Sequence, residues 1–115
     1  MNSKMKKIAI PVSNGILSPH FGHCERFYIC EVEDNKVHNE TFLSSPPHEP
    51  GILPQWLSSH GVTDVIAGGM GHRAISLFNQ SNINVFVGAP QKEPGKIISE
   101  FLGGTLLLND NYCDH

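Results

Sequence analysis

Cysteine is scarce in this chain of 115 residues: there are three, Cys24, Cys30 and Cys113, an odd number at irregular spacing. That excludes a disulfide framework and agrees with a reducing compartment. Basic clusters are missing as well. Eight Lys and Arg stand against eleven Asp and Glu, a formal net charge of −3, which excludes a non-specific nucleic-acid binder held through phosphate contacts. The longest apolar runs, residues 8–12 and 106–108, fall far short of the roughly 20 residues a bilayer demands. The start is basic, but the five apolar residues that follow are too few for a signal-peptide centre, so a cytoplasmic protein is expected. Repeats and low-complexity segments are also lacking. One domain over residues 1–115 is the expectation, and a chain of this size buries roughly two thirds of its unfolded surface without help from a metal or disulfide.

Histidine is what the sequence does have. Seven of them outnumber the cysteines, and histidine is the side chain most often enlisted for metal or proton chemistry near neutral pH.

Residues 7–12 (KIAIPV) read as a strand buried on both faces, with Pro11 marking a bulge or the strand end. Residues 13–25 read as a loop, broken by Asn14-Gly15, Ser18-Pro19 and Gly22. Residues 26–33 alternate, Tyr28, Cys30 and Val32 against Phe27, Ile29 and Glu31, and Asp34-Asn35 turns them into a second strand over 36–43. A proline-rich connector follows. Helical spacing of Ile52, Leu53, Trp56 and Leu57, then of Ala74, Ile75, Leu77 and Phe78, then of Ile97, Ile98, Phe101 and Leu102 predicts three helices. Short strands are predicted at 64–67, 84–87 and 105–108. A hairpin followed by repeating βα units gives an α/β protein with a mixed sheet of five to six strands, an N-terminal antiparallel hairpin and helices on both faces. Right-handed crossovers place the first strand centrally, a ribonuclease-H-like three-layer arrangement. Ligands of such sheets gather at the carboxyl ends of the parallel strands, where residues 13–25, 68–71 and 88–90 leave.

His20-Phe21-Gly22-His23-Cys24 puts three metal-ligand donors in five residues, with Gly22 letting backbone fold tightly around a guest. It lacks the Cys-x-x-Cys spacing of a closed structural site, and histidines that merely cap nearby backbone are the plain alternative. Cys113-Asp114-His115 adds a thiol, an imidazole and the terminal carboxylate in a tail. A free terminus normally frays, yet an exposed thiol there invites oxidation unless it binds something. His48, stiffened by Pro46, Pro47 and Pro50, is a further candidate ligand or simply the entry to the first helix. Cys30 reads as core, His38 and His60 as surface. The turn Gly68-Gly69-Met70-Gly71, with Arg73 behind it, offers amides and a helix start to an anion. It matches neither dinucleotide-binding nor P-loop spacing, and glycines needed only for a tight turn are the competing account. A Cys24 nucleophile lacks an assignable orienting partner. A two-metal nuclease needs clustered carboxylates, and residues 8–12 carry none.

Residues 7–12 (KIAIPV), then Ser18-Pro19-His20-Phe21-Gly22 and Phe27, then Ile66-Ala67-Gly68-Gly69-Met70-Gly71 with Arg73-Ala74, and finally Gly88-Ala89 resemble the dinitrogenase iron–molybdenum cofactor biosynthesis family over about residues 7–108. NifX-like proteins and the C-terminal domain of NifB-like proteins belong to it. The sequence is most similar to small free-standing members with Pro-His-Glu-Pro-Gly and a final Cys-Asp-His. The resemblance implies a ribonuclease-H-like fold and the binding of iron–sulfur or iron–molybdenum cofactor precursors; a related member holds a molybdenum–copper sulfide cluster. It implies His20 as a ligand, whereas His23 and Cys24 depart from many members.

The leading expectation is therefore a non-catalytic carrier for a metal or metal–sulfur cluster of iron–sulfur, iron–molybdenum-precursor, molybdenum–copper or zinc type. His20, His23, Cys24, Cys113 and His115 would be ligands, His48 a further one, and Gly68, Gly69, Met70, Gly71 and Arg73 would meet negative charge. Other cofactor-assembly proteins are the expected partners, with no nucleic acid and no membrane. The alternatives are an anion- or nucleotide-sensing module on the Gly68–Gly71 turn, and an interaction domain that pairs with an assembly protein or with itself as a homodimer.

Overall fold

The β-branched run at the start of the chain forms a central strand, β1 (Met5–Ser13). The computed structural model describes residues 5–19, 21, 24–46 and 51–109. Successive β1 side chains point to opposite faces, and both are buried: Ile8, Ile10 and Val12 enter one core cluster and Ala9 the other. Pro11 causes neither bulge nor ending, because the register against the neighbouring strand runs unbroken from Met5 to Val12. Its carbonyl faces the other neighbour, accepting the Ser18 amide at 2.8 Å. The nitrogen of a strand residue points the same way as its carbonyl, so the N–H that proline lacks falls outside the uninterrupted ladder.

Asn14 and Gly15, both at positive φ (56° and 83°), turn the chain back into the short β2 (Ile16–Leu17), paired to β1 with Ser13 opposite Ile16. Two positive φ values in a two-residue connection are the type I′ signature. Residues 13–25 are thus not wholly loop as the sequence suggested. A second such turn, Asp34 and Asn35 (φ 53° and 63°), joins β3 (Arg26–Glu33) to β4 (Lys36–Ser44), with one register shift at Glu31/Val32.

Helix α1 (Ile52–Ser59) leads to β5 (Asp64–Ile66), α2 (His72–Gln80) to β6 (Asn84–Phe86), and α3 (Pro94–Gly103) closes the series. The sheet has six strands in the order β4-β3-β1-β5-β6, with β2 attached to β1. Strand β3 is antiparallel to β1 and β4 to β3, while β5 and β6 run parallel to β1. Tyr28, Cys30, Val32 and Ile66 pack with Ile97 and Ile98 of α3 on one face. Phe27, Ile29 and Val65 pack with Leu57 of α1 and Phe78 of α2 on the other. The α/β class, the mixed sheet and the helices on both faces follow the sequence reading.

The last predicted strand does not form. Helix α3 stops at Gly104 (φ 75°), and the amides of Thr105 and Leu106 both turn back to the Glu100 carbonyl at 2.9 and 3.2 Å. Donors spent on the helix end are not available to a ladder. Leu107 is left 77% exposed. Among the described residues no helix is long and apolar enough to cross a membrane.

Candidate functional site at the carboxyl rim of the parallel strands

Strands β1 and β5 both deliver their carboxyl ends to one rim, and the segments that leave them are tied together by backbone. The Phe21 amide donates to the Gly69 carbonyl at 3.1 Å, and the Gly88 amide to the Gly68 carbonyl at 2.9 Å. The loop after β1, the turn after β5 and the segment after β6 thus form one connected edge.

Phe21 anchors the first of these segments. Its ring meets Phe78 edge-on at 5.3 Å and Phe27 at 5.8 Å, so it plugs the α1/α2-face core while its amide holds Gly69. On the far side of the same loop, Cys24 is half-buried. The Ser45 hydroxyl donates to the Cys24 carbonyl at 3.0 Å, and the Cys24 Sγ lies 3.3 Å from Ser45 Oγ. Ser45 has a single hydroxyl proton, so with that proton on the carbonyl the thiol is the donor of the second contact. Burial pushes the Cys24 thiol up from its ordinary pKa, against weaker opposition from Ser45 and backbone hydrogen bonds. At neutral pH it is a protonated thiol, not a primed nucleophile. A metal can take it only by displacing the proton.

The glycine turn is less open than the sequence suggested. Gly68, Gly69 and Met70 are buried, and the Met70 side chain is part of the core, 1% exposed. The carbonyls of Gly68 and Gly69 face the neighbouring segments as acceptors. Gly71 is exposed and extended at the head of α2, where no side chain caps the helix and no acid occupies the first turn. Arg73 is exposed in that turn.

His20, His23, His48, Cys113 and His115 lie outside the described residues. Among the described residues no group of three or more His, Cys, Asp or Glu side chains is placed to hold a metal, and Cys24 is the one thiol they bring to the rim. Cys30 is fully buried, as its strand position predicts. His60 stacks edge-on against Trp56 at 4.8 Å, and His38 is exposed 3.8 Å from Glu33. The parts that residue types alone do not reveal are Ser45 as the partner of Cys24 and Phe21 as an anchor. Only the Pro46 that follows Ser45, a break in the chain, hints at the first.

Fold and rim together define a small α/β/α protein whose carboxyl edge is fed by the loop after its central strand. The family model for the dinitrogenase iron-molybdenum cofactor matches residues 4–104, and the chain belongs to that family. An uncharacterized protein of Methanocaldococcus jannaschii is 36% identical over 88 residues, 72% of this chain and 75% of its own. The crystal structure of PH0822 superposes with a TM-score of 0.86 at 31% identity, over 92% of this chain and 96% of that one. The apo form of the orange protein from Desulfovibrio gigas superposes at 0.72 with 21% identity, over 96% of this chain and 98% of that one; this last likeness is one of fold.

Proposed function

We propose that this protein is a non-catalytic carrier of a metal or metal–sulfur cluster in metallocofactor assembly, working in the cytoplasm with other assembly proteins. The observation that carries the reading is the double anchoring of one loop at the carboxyl rim. Phe21 is fixed in the core and to Gly69, and Cys24 is fixed to Ser45. The two anchors bracket a stretch whose remaining residues are Gly22 and His23, with His20 immediately before it. Membership in the iron-molybdenum cofactor family supports it.

In this reading His20, His23 and Cys24 are the central ligands, Cys113 and His115 close over from the tail, and His48 is a further donor. Arg73 and the bare first turn of α2 offset the anionic charge of a sulfide cluster. Mixed imidazole and thiolate ligation suits a carrier, because four thiolates would seal the ion whereas a carrier must release it. The protonated Cys24 thiol adds a control: uptake releases a proton, so retention weakens as pH falls.

Anaerobic reconstitution with iron and sulfide, and in parallel with molybdate and copper, followed by metal analysis and visible absorption, tests the reading. Wild type is expected to retain metal with a sulfide-to-metal absorption band, and a His20→Ala, Cys24→Ala double variant to lose both. Equal, negligible retention by the two proteins rejects the carrier.

A further inference from the structure

Strand β4 is an outer strand of the sheet: among the described residues it pairs with β3 alone. Every residue of it except Leu43 is exposed. Its register against β3 is unbroken from Asn39 to Ser44, and it contains no proline. An uninterrupted edge of this kind is one that proteins ordinarily cover or break. Phe42 lies opposite Tyr28 and Glu40 opposite Cys30, so both project on the α3 face. There Phe42 is left 47% exposed. Its ring meets Tyr28 edge-on at 5.5 Å, and the Arg26 guanidinium lies over it, 4.3 Å from the centroid. The Glu40 carboxylate accepts the Tyr28 hydroxyl. An aromatic ring carrying a cation thus stands two residues from an acid on one face of one edge.

We infer that this edge pairs with the same edge of a second copy of the chain, antiparallel about a two-fold axis through Thr41. Strands related by such an axis form an isologous ladder in which directly opposite side chains share a face. Charge selects the register. With Thr41 opposite Thr41, each Glu40 faces the second copy's Phe42 and hence the Arg26 guanidinium over that ring, which gives two complementary charge pairs. Leu43 meets Asn39 on the other face. Centring on Glu40 instead sets two carboxylates opposite each other, and centring on Phe42 brings the two ring-bound guanidiniums together; like charges so placed oppose pairing. Centring on Asn39 runs into a bulge, because Val37 and Asn39 pair with the consecutive residues Val32 and Glu31 and leave His38 without a register partner. The Thr41 register covers both Phe42 rings and joins two sheets into one. It stands independently of the carrier reading and requires no metal.

The test is sedimentation equilibrium of the full chain, as wild type and with Arg26→Glu, Glu40→Arg or Thr41→Lys. All three positions are exposed, and circular dichroism checks that each variant is folded. Wild type is expected to dimerise in the micromolar range, as suits an interface of modest size, and to associate more weakly as salt is added. Arg26→Glu or Glu40→Arg alone makes both charge pairs repulsive and should weaken association about tenfold or more. Thr41→Lys, which sets two cations opposite each other on the axis, should do the same. The two charge variants mixed in equal amounts should associate to within a few-fold of wild type, because each supplies the sign the other has lost. Wild type that stays monomeric up to about 1 mM overturns the proposal, as does a dimer indifferent to salt or one that survives all three substitutions and so forms elsewhere. Weakening in the single variants without recovery in their mixture overturns it too, since the two charges then do not face each other.

Discussion

Cys30 shows how far a side chain's surroundings decide its chemistry. It is fully buried among Ile8, Tyr28 and the α3 residues, and burial, with the Glu40 charge adding to it, pushes its thiol up to about 11. Tyr28, whose hydroxyl donates to Glu40, partly opposes this. The folded chain thus holds the Cys30 proton more tightly than the unfolded chain does. The resulting stability is fully present below the ordinary value of 9.0 and is lost as pH rises through about 11. Cys30→Ala should cost about 1–2 kcal/mol at pH 7 through lost packing. Between pH 9 and 11 wild type should lose roughly 2–3 kcal/mol that the variant does not. Urea unfolding across that range checks it; a constant difference between the two proteins would show that Cys30 does not ionise in the fold. Cys24 is raised for the same first reason, but at the rim it stays within reach of a ligand able to displace its proton.

At the scale of the element, the loop after β1 depends on one ring. Phe21→Ala removes the contacts with Phe27 and Phe78 and should destabilise the protein by about 2–3 kcal/mol, whereas Phe21→Leu keeps most of the volume and should cost less than about 1.5 kcal/mol. Under the carrier reading both lower iron retention, Ala more than Leu, because the flanking donors lose their fixed start. Thermal denaturation and metal analysis on the same samples separate the two effects. Phe21 also marks the limit of what its pentapeptide reveals. The donor types around it are plain from the letters, but that a phenylalanine fills a hole under α2 depends on register between distant segments. The same boundary runs through the fold. Asn14-Gly15 and Asp34-Asn35 announce their turns because few residues accept positive φ. Strand β2 escapes notice because two residues show no periodicity. Residues 105–108 look like a strand only until the Glu100 carbonyl claims the first two amides.

Across the whole molecule, the two ends of the parallel strands do different work. The amino end is closed by a buried network: Asp64, 2% exposed, accepts from Thr63 Oγ1 at 2.7 Å and from Asn84 Nδ2 at 3.0 Å. Thr63 Oγ1 also receives the Lys7 amide at 3.0 Å, so this one carboxylate ties β1, β5 and β6 together. It is a buried acid of the kind that elsewhere suggests catalysis, but every contact it makes serves the sheet. The carboxyl end, by contrast, is stitched by backbone hydrogen bonds between the segments that follow β1, β5 and β6. Asp64→Ala leaves the Asn84 amide without its acceptor and the Thr63 hydroxyl with only the longer 3.3 Å bond to the Lys7 carbonyl, and should cost roughly 2–3 kcal/mol in urea unfolding. Iron retained per folded molecule should be unchanged, because the substitution lies at the opposite rim from Phe21, Cys24 and Gly88. Lost iron in a variant whose circular dichroism remains native would mean that strain passes along β5 from one rim to the other. The division between a structural end and a binding end would then fail, since the three residues of β5 would be too short to insulate one rim from the other.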